Sequence, residues 1–305
     1  MPEKIFVMGH KNPDTDSIIS AIAEAEFLCQ MGLDAVPVAQ GVPAPETQFV
    51  LDKFGFAAPE IITETAGKVI VLVDTTEPSQ LPADIGEARI HAVVDHHNLG
   101  GIKTNGVLHV TLRPWGSTCT VIAHQFAEQG YQISQPLAGA MMCAILSDTV
   151  MFRSPTTMNH DRRAVERLSR IAGLDYHELG MEMLRVKSDI SGDPVADLLT
   201  RDSKEFETPS GKKITIGVLE LIDGAMAEPK LPEIRSELAR QHAAGKNVMF
   251  LIVDIMKNGA LFLSYTEDDA RVEQLFPADW ADHAAFVPDI LSRKKQVIPV
   301  LNRGF

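Results

Sequence analysis

Ile5-Phe6-Val7-Met8-Gly9-His10-Lys11-Asn12-Pro13-Asp14-Thr15-Asp16-Ser17 begins as an apolar run and ends in one imidazole and two carboxylates. Residues 5–8 have the length and character of a buried strand. Residues 17–30 have helical spacing, with Ile18 and Ile22 on the apolar side and Asp16 or Ser17 as N-cap. The same order recurs twice. The run Val69–Val73 meets Asp74, and residues 90–94 meet Asp95-His96-His97-Asn98. Short β-branched runs alternating with amphipathic stretches specify an α/β fold with a parallel sheet. In such sheets ligands sit beyond the carboxyl ends of the strands, so the three polar segments are expected to share one crevice.

Further along, residues 118–128 and 137–146 read as helices, and Asp148 falls at the end of the second or in the turn after it. A turn-rich stretch, Ser188-Asp189-Ile190-Ser191-Gly192-Asp193-Pro194, then interrupts the pattern. We read residues 1–188 as a first domain carrying the three polar strand ends and Asp148, 189–194 as a linker and 195–305 as a smaller α/β domain. In the latter, residues 213–221 and 248–255 are expected as strands, 231–244 as a helix and 296–301 as a late strand. A chain of 305 residues is long enough for two cores.

The formal charge of −13 argues against a nucleic-acid or anionic-membrane surface, either of which needs a broad basic face. Cys29, Cys119 and Cys143 are widely separated, which suits neither a disulfide framework nor a thiolate zinc site, and all three are expected in the core. The first apolar run is too short for a signal peptide or a spanning helix, and a cytoplasmic location is expected.

The chemistry rests on convergence. An aspartate can cap a helix, and a histidine can be a hydrogen-bonded core residue. A carboxylate directly after the apolar run 69–73, however, is costly to bury without a partner. Four segments, carrying His10, Asp14 and Asp16, Asp74, His96 and His97, and Asp148, all deliver such groups to one predicted sheet edge. Carboxylate oxygens mixed with imidazoles suit manganese, cobalt, iron or zinc, whereas magnesium alone has no need of the histidines. The ligands exceed the needs of one ion and point to a two-metal site of the kind that hydrolyses phosphoryl bonds. Late in the chain Ser292-Arg293-Lys294-Lys295-Gln296 concentrates cations in an acidic protein. Arg293 offers a planar fork for phosphate, Lys294 a compact charge, and Lys204 is a further candidate.

Taken together, His10-x-Asn12-Pro13-Asp14-x-Asp16, Asp95-His96-His97 and Ser292-Arg293-Lys294-Lys295-Gln296 resemble the family II inorganic pyrophosphatases of the DHH phosphoesterase superfamily, over essentially the whole chain. The resemblance implies an N-terminal parallel-sheet DHH domain and a C-terminal DHHA2-type domain closing over pyrophosphate. It implies two Mn²⁺ or Co²⁺ ions per subunit, with Mg²⁺ accompanying the substrate. His10, Asp14 and Asp74 would ligate one ion and Asp16, Asp74, His96 and Asp148 the other, with Asp95 orienting a histidine from behind. His97, Lys204, Arg293 and Lys294 would bind substrate, and a homodimer through the N-terminal domain is implied as well. The interval from His97 to Asp148 is too short for the nucleotide-binding insert that some relatives carry.

Other superfamily phosphoesterases are the nearest alternatives. Nucleotide-cleaving branches have a GGGH-like segment that this sequence lacks, and stacking aromatics are few, at 6% of residues. An exopolyphosphatase would share the metal site and the basic grip. A non-catalytic metal- or phosphate-binding protein is disfavoured, because every expected ligand is present.

Overall fold

The computed structural model describes residues 3–104 and 106–304, without the side chains of Lys294 and Lys295. The chain divides into two compact units, Met1–Lys187 and Ser188–Phe305.

The first unit is built on six strands: β1 Ile5–Lys11, β2 Ala35–Gln40, β3 Glu60–Ile61, β4 Val69–Val73, β5 Arg89–Asp95 and β6 His109–Leu112. All pair in parallel, in the order β3-β2-β1-β4-β5-β6. Every residue of β4 is buried, as expected of a central strand with covered faces. Six helices accompany the sheet: α1 Thr15–Gln30, α2 Pro45–Phe54, α3 Thr118–Gln129, α4 Gln135–Asp148, α5 Asn159–Ala172 and α6 Tyr176–Lys187. The middle of α4, from Leu137 to Ser147, is buried without interruption, so this helix belongs to the core. Strand order reverses between β1 and β4, and that switch point opens a crevice at their carboxyl ends.

Strand β1 runs past residues 5–8 and α1 starts before residue 17, with Asp14 in place of Asp16 or Ser17 as its N-cap, so the connection between them is shorter than expected. His10 still belongs to β1, Asp14 is the N-cap of α1, and Asp16 lies in the first helical turn. Gly9 makes this sharp entry possible, because a Cβ there would lie 1.9 Å from Ser17 Oγ, the atom that accepts a hydrogen bond from the His10 N–H. Cys119 and Cys143 are buried, but Cys29 is exposed. It sits near the end of α1, past the last buried residue, Leu28.

The second unit contains β7 Ser203–Glu207, β8 Lys213–Leu221, β9 Asn247–Asp254, β10 Gly259–Tyr265 and β11 Ala284–Pro288, in the order β11-β10-β9-β8-β7. Among the described residues of this unit, only β8 and β9 pair in parallel. Helices α7 Val195–Arg201, α8 Leu231–Ala243, α9 Asp269–Leu275 and α10 Ile298–Gly304 complete it. Strand β9 alternates as a two-sided strand must. Val248, Phe250 and Ile252 join one core with Leu198 and Ile234, while Met249, Leu251 and Val253 join another with Phe276 and Leu301.

The predicted late strand at 296–301 is helical instead: a π-turn, Arg293–Val297, runs into α10. Val297 and Leu301, four residues apart, are both fully buried, which is helical spacing, and Pro299 is poorly suited to a strand interior.

Candidate metal centre

Each strand of the switch point delivers one part of the centre. Asp74 follows β4 with φ of 61°, a left-handed conformation uncommon for a residue with a Cβ, and its N–H donates to Val94 O at 3.0 Å. Its carboxylate is buried between two imidazoles, with His10 Nε2 3.4 Å from Oδ2 and His96 Nε2 3.4 Å from Oδ1. His10 Nδ1 donates to Lys11 O at 2.8 Å, and His96 Nδ1 donates to Trp115 O at 2.9 Å. A carbonyl can only accept, so both rings carry hydrogen on Nδ1 and turn Nε2 toward the centre.

Asp14 lies 3.6 Å from His10 Nε2, and Asp148, the last residue of α4, lies 3.7 Å from His96 Nε2. Asp16 is completely buried against the N-terminus of α3. It accepts from Ser117 Oγ at 2.7 Å, Thr118 N at 2.7 Å and Cys119 N at 3.1 Å. Thr118 Oγ donates to Asp74 Oδ1 at 2.9 Å. These atoms form two overlapping groups, His10–Asp14–Asp74 and Asp16–Asp74–His96–Asp148, each with donor atoms within 4.8 Å of one another. His97 also comes within this distance of Asp74 and His96.

The Asp95 side chain supports the histidine pair from below. Its Oδ1 accepts from His96 N at 2.7 Å, His97 N at 3.0 Å and His97 Nδ1 at 2.9 Å. The His97 ring is otherwise half-exposed and lines a cavity of about 730 Å³ with His10, Asp14, Asp74 and Asp148.

The electrostatics show what this donor set demands. Burial, reinforced by Asp74, pushes the Asp16 carboxyl up to about 6. Burial and the charges of Asp16, Asp74 and Asp14 hold Asp148 well above the carboxylate range. Burial also works against ionisation of Asp74, yet His10 and His96 on either side bring it below that range. Burial opposes protonation of the imidazoles, but Asp14 and Asp74 raise His10 to about 11, and Asp74 with Asp16 raises His96 to about 9. The hydrogen bond to Asp95 raises His97. Asp16, Asp148 and the two imidazoles are all biased toward holding protons, because so many carboxylates crowded together need positive charge beside them. Divalent ions that accept both oxygen and nitrogen donors fit it.

Three parts of this centre escaped the sequence. The donors Ser117, Thr118 and Cys119 resemble an ordinary helix start, though Ser at an N-cap position is a recognisable anchor. Lys11 and Gln80 also line the cavity, and Lys11 stood in plain view inside the first motif. After Asp148 the backbone takes three consecutive left-handed residues, Val150, Met151 and Phe152, with φ of 47°, 52° and 66°, which no glycine announces.

The end of α6 is tied to the same region. Ser147 Oγ donates to Glu46 Oε1 at 2.7 Å, and Lys187 Nζ lies 3.2 Å from Glu46 Oε2. Of the candidates in the second unit, Lys204 is exposed on β7, opposite Ile216 of β8. Arg293 is nearly buried. Its Nη1 donates to Asp202 O at 2.7 Å and Ile216 O at 2.8 Å, and its Nη2 to Asp202 Oδ1 at 2.7 Å. The side chain of Lys294 lies outside the described residues.

Residues 4–145 match the DHH family, N-terminal domain, and residues 181–303 match the DHHA2 domain, which defines the class as a DHH–DHHA2 protein. The chain is 39% identical to the manganese-dependent inorganic pyrophosphatase of Methanothrix thermoacetophila, covering 100% of this chain and 99% of that protein. It is 36% identical to the Bacillus subtilis manganese-dependent inorganic pyrophosphatase, over 98% of both chains. It therefore belongs to the manganese-dependent, family II inorganic pyrophosphatases of the DHH superfamily. The crystal structure of a Methanococcus jannaschii protein assigned to that family superposes with a TM-score of 0.62 at 38% identity, covering 99% of both chains. An exopolyphosphatase-related protein of Bacteroides fragilis shares the fold at a TM-score of 0.53 and 15% identity.

Proposed function

We propose that this protein hydrolyses inorganic pyrophosphate to two phosphates at a centre holding two manganese or cobalt ions. The observation that carries this reading is the buried carboxylate of Asp74, common to both donor groups. His10, Asp14 and Asp74 would hold one ion, and Asp16, Asp74, His96 and Asp148 the other. When bound, the ion pair supplies Lewis acidity toward the phosphoryl oxygens and toward a water molecule. The protein's own groups do the rest. Ser117, Thr118 and Cys119 keep Asp16 oriented, and the carbonyls of Lys11 and Trp115 fix the histidine tautomers. Asp95 holds His97 Nδ1, so that the far edge of the ring can present a proton to a phosphate oxygen.

Lys204, Arg293 and Lys294 are proposed to grip the substrate, which Mg²⁺ would accompany. Because the Nη1 donors of Arg293 are engaged by Asp202 and Ile216, its grip falls to the Nε–H edge. The metal donors belong to one unit and these cations to the other, so we propose that closure of the units completes the reaction chamber. Small-angle scattering with and without a non-hydrolysable analogue tests this, and an unchanged radius of gyration would refute it.

A homodimer through the first unit is proposed on the strength of β6, an edge strand on which Val110 is 46% exposed. Sedimentation equilibrium tests it. Three free cysteines support a cytoplasmic setting, and the net charge of −13 supports the absence of a nucleic-acid partner. Among the described residues no helix is long and apolar enough to cross a membrane.

The decisive assay follows phosphate release by metal-stripped protein after separate addition of Mn²⁺, Co²⁺, Zn²⁺ or Mg²⁺, with pyrophosphate and tripolyphosphate as parallel substrates. Activation by Mn²⁺ and Co²⁺ on pyrophosphate is expected. Preference for the longer chain would favour an exopolyphosphatase instead.

A further inference from the structure

Asp161 lies on α5, an element that supplies none of the proposed metal ligands, and it is completely buried. Both of its oxygens are in use. Gly116 N donates to Oδ1 and Oδ2 at 3.0 Å each, Thr120 Oγ to Oδ1 at 2.7 Å, and Met158 N to Oδ2 at 2.7 Å. One carboxylate thus ties the start of α5 to the segment leading into α3.

That segment is the scaffold of the metal centre. Trp115 O fixes His96, Ser117 Oγ and the N–H groups of Thr118 and Cys119 fix Asp16, and Thr118 Oγ fixes Asp74. Gly116, at its middle, is wedged from two sides. A Cβ there would lie 2.6 Å from Thr149 Cγ2 and 2.7 Å from Asp161 Oδ2, and Thr149 directly follows Asp148. The segment therefore has one seat, between the end of α4 and Asp161. All three residues it orients belong to the group Asp16–Asp74–His96–Asp148, whereas His10 and Asp14 receive nothing from it.

We propose that Asp161 is a positioning residue for one of the two ions: by seating residues 115–118 it sets the geometry of Asp16, Asp74 and His96. This rests on the reading of those residues as metal ligands. Partners behind metal ligands commonly contribute about 10- to 100-fold in affinity. Loss of Asp161 should therefore weaken one ion by that factor while the other, held by His10, Asp14 and Asp74, changes only through the shared Asp74.

The experiment is calorimetric titration of the metal-stripped full-length protein with Mn²⁺, accompanied by the visible absorption of the Co²⁺ form and by thermal unfolding of the metal-free form. Four proteins are compared: wild type, Asp161→Asn, Gly116→Ala and Leu168→Ala. Asp161→Asn puts an amide donor where donors already point. Gly116→Ala displaces the same segment with Asp161 intact, so it decides the matter if the first variant fails to fold. Leu168 is a fully buried apolar residue of α5 outside the network, and its truncation reports what loss of stability alone does.

The expected result is two ions in wild type, one of them weakened about 10- to 100-fold with an altered Co²⁺ spectrum in Asp161→Asn and Gly116→Ala. Leu168→Ala should melt lower yet titrate as wild type does. The proposal is overturned if the first two variants bind both ions as wild type does, or if Leu168→Ala loses affinity in step with its melting temperature. Failure of wild type to bind two ions would overturn the metal-site reading itself.

Discussion

Asp74 concentrates the demands of the site in one side chain: it is buried, lies between two imidazoles, and sits on a left-handed backbone. Asp74→Ala should abolish turnover and remove more metal affinity than the roughly 10- to 100-fold cost of losing a partner behind a ligand. Lys204→Ala should slow turnover and leave Mn²⁺ titration unchanged; equal metal binding by wild type and Asp74→Ala would contradict the proposed place of Asp74 in both donor groups. Glu24 makes a separate prediction, away from the centre. Burial in α1 raises its carboxyl from 4.5 to about 8, and its Oε2 has no hydrogen-bond partner among the described residues. Below pH 4.5 both folded and unfolded forms are protonated, so the residue is neutral in its effect. As pH rises from there toward 8 the unfolded form ionises first, and stability falls until the penalty is complete above the folded value. Glu24→Gln should therefore raise the melting temperature at pH about 8.5 and leave it nearly unchanged at pH about 4; equal shifts at both would refute the assignment. The cluster of proposed ligands was legible because a carboxylate or imidazole closing a fully apolar strand is expensive without a purpose. Asp161 was not, because Asn159-His160-Asp161-Arg162-Arg163 has the composition of a solvated helix start.

Among the elements, α3 matters through its first turn. Ser117 is both its N-cap and a donor to Asp16. Ser117→Ala should cost about 1 kcal/mol of stability and, separately, about 10-fold or more in metal affinity; a urea midpoint shift without any affinity loss would leave only the capping role. The turn after α4 stores strain in Val150, a β-branched residue with φ of 47°. Left-handed backbone costs an L-residue of this kind roughly 1–2 kcal/mol, and asparagine tolerates it better. Val150→Asn should raise the urea midpoint, and a fall would show that packing outweighs the backbone term. Strands β4 and β8 were readable to the residue, since continuous or alternating apolar runs leave little choice. Helix α10 was not legible, because Val297-Ile298-Pro299-Val300-Leu301 is β-branched in composition although helical in spacing.

At the scale of the whole molecule, Arg293 is held by its own unit, through Asp202 and Ile216. Arg293→Lys should weaken substrate turnover despite conserving charge, because a lysine cannot reproduce the fork, while Mn²⁺ titration stays at the wild-type value. Wild-type kinetics would remove Arg293 from the proposed grip. Two domains were legible in the sequence, with a linker expected at 189–194; the structure divides between Lys187 and Ser188. Less visible was how the first unit finishes: Lys187, its final residue, is anchored through Glu46 to Ser147, next door to Asp148. All six proposed metal ligands thus lie upstream of a fastened end, with their own sheet and core. The proposed metal donors could therefore be carried from one chain to another as a single cassette, while the nature of the phosphate that is gripped would change with whatever unit is joined downstream.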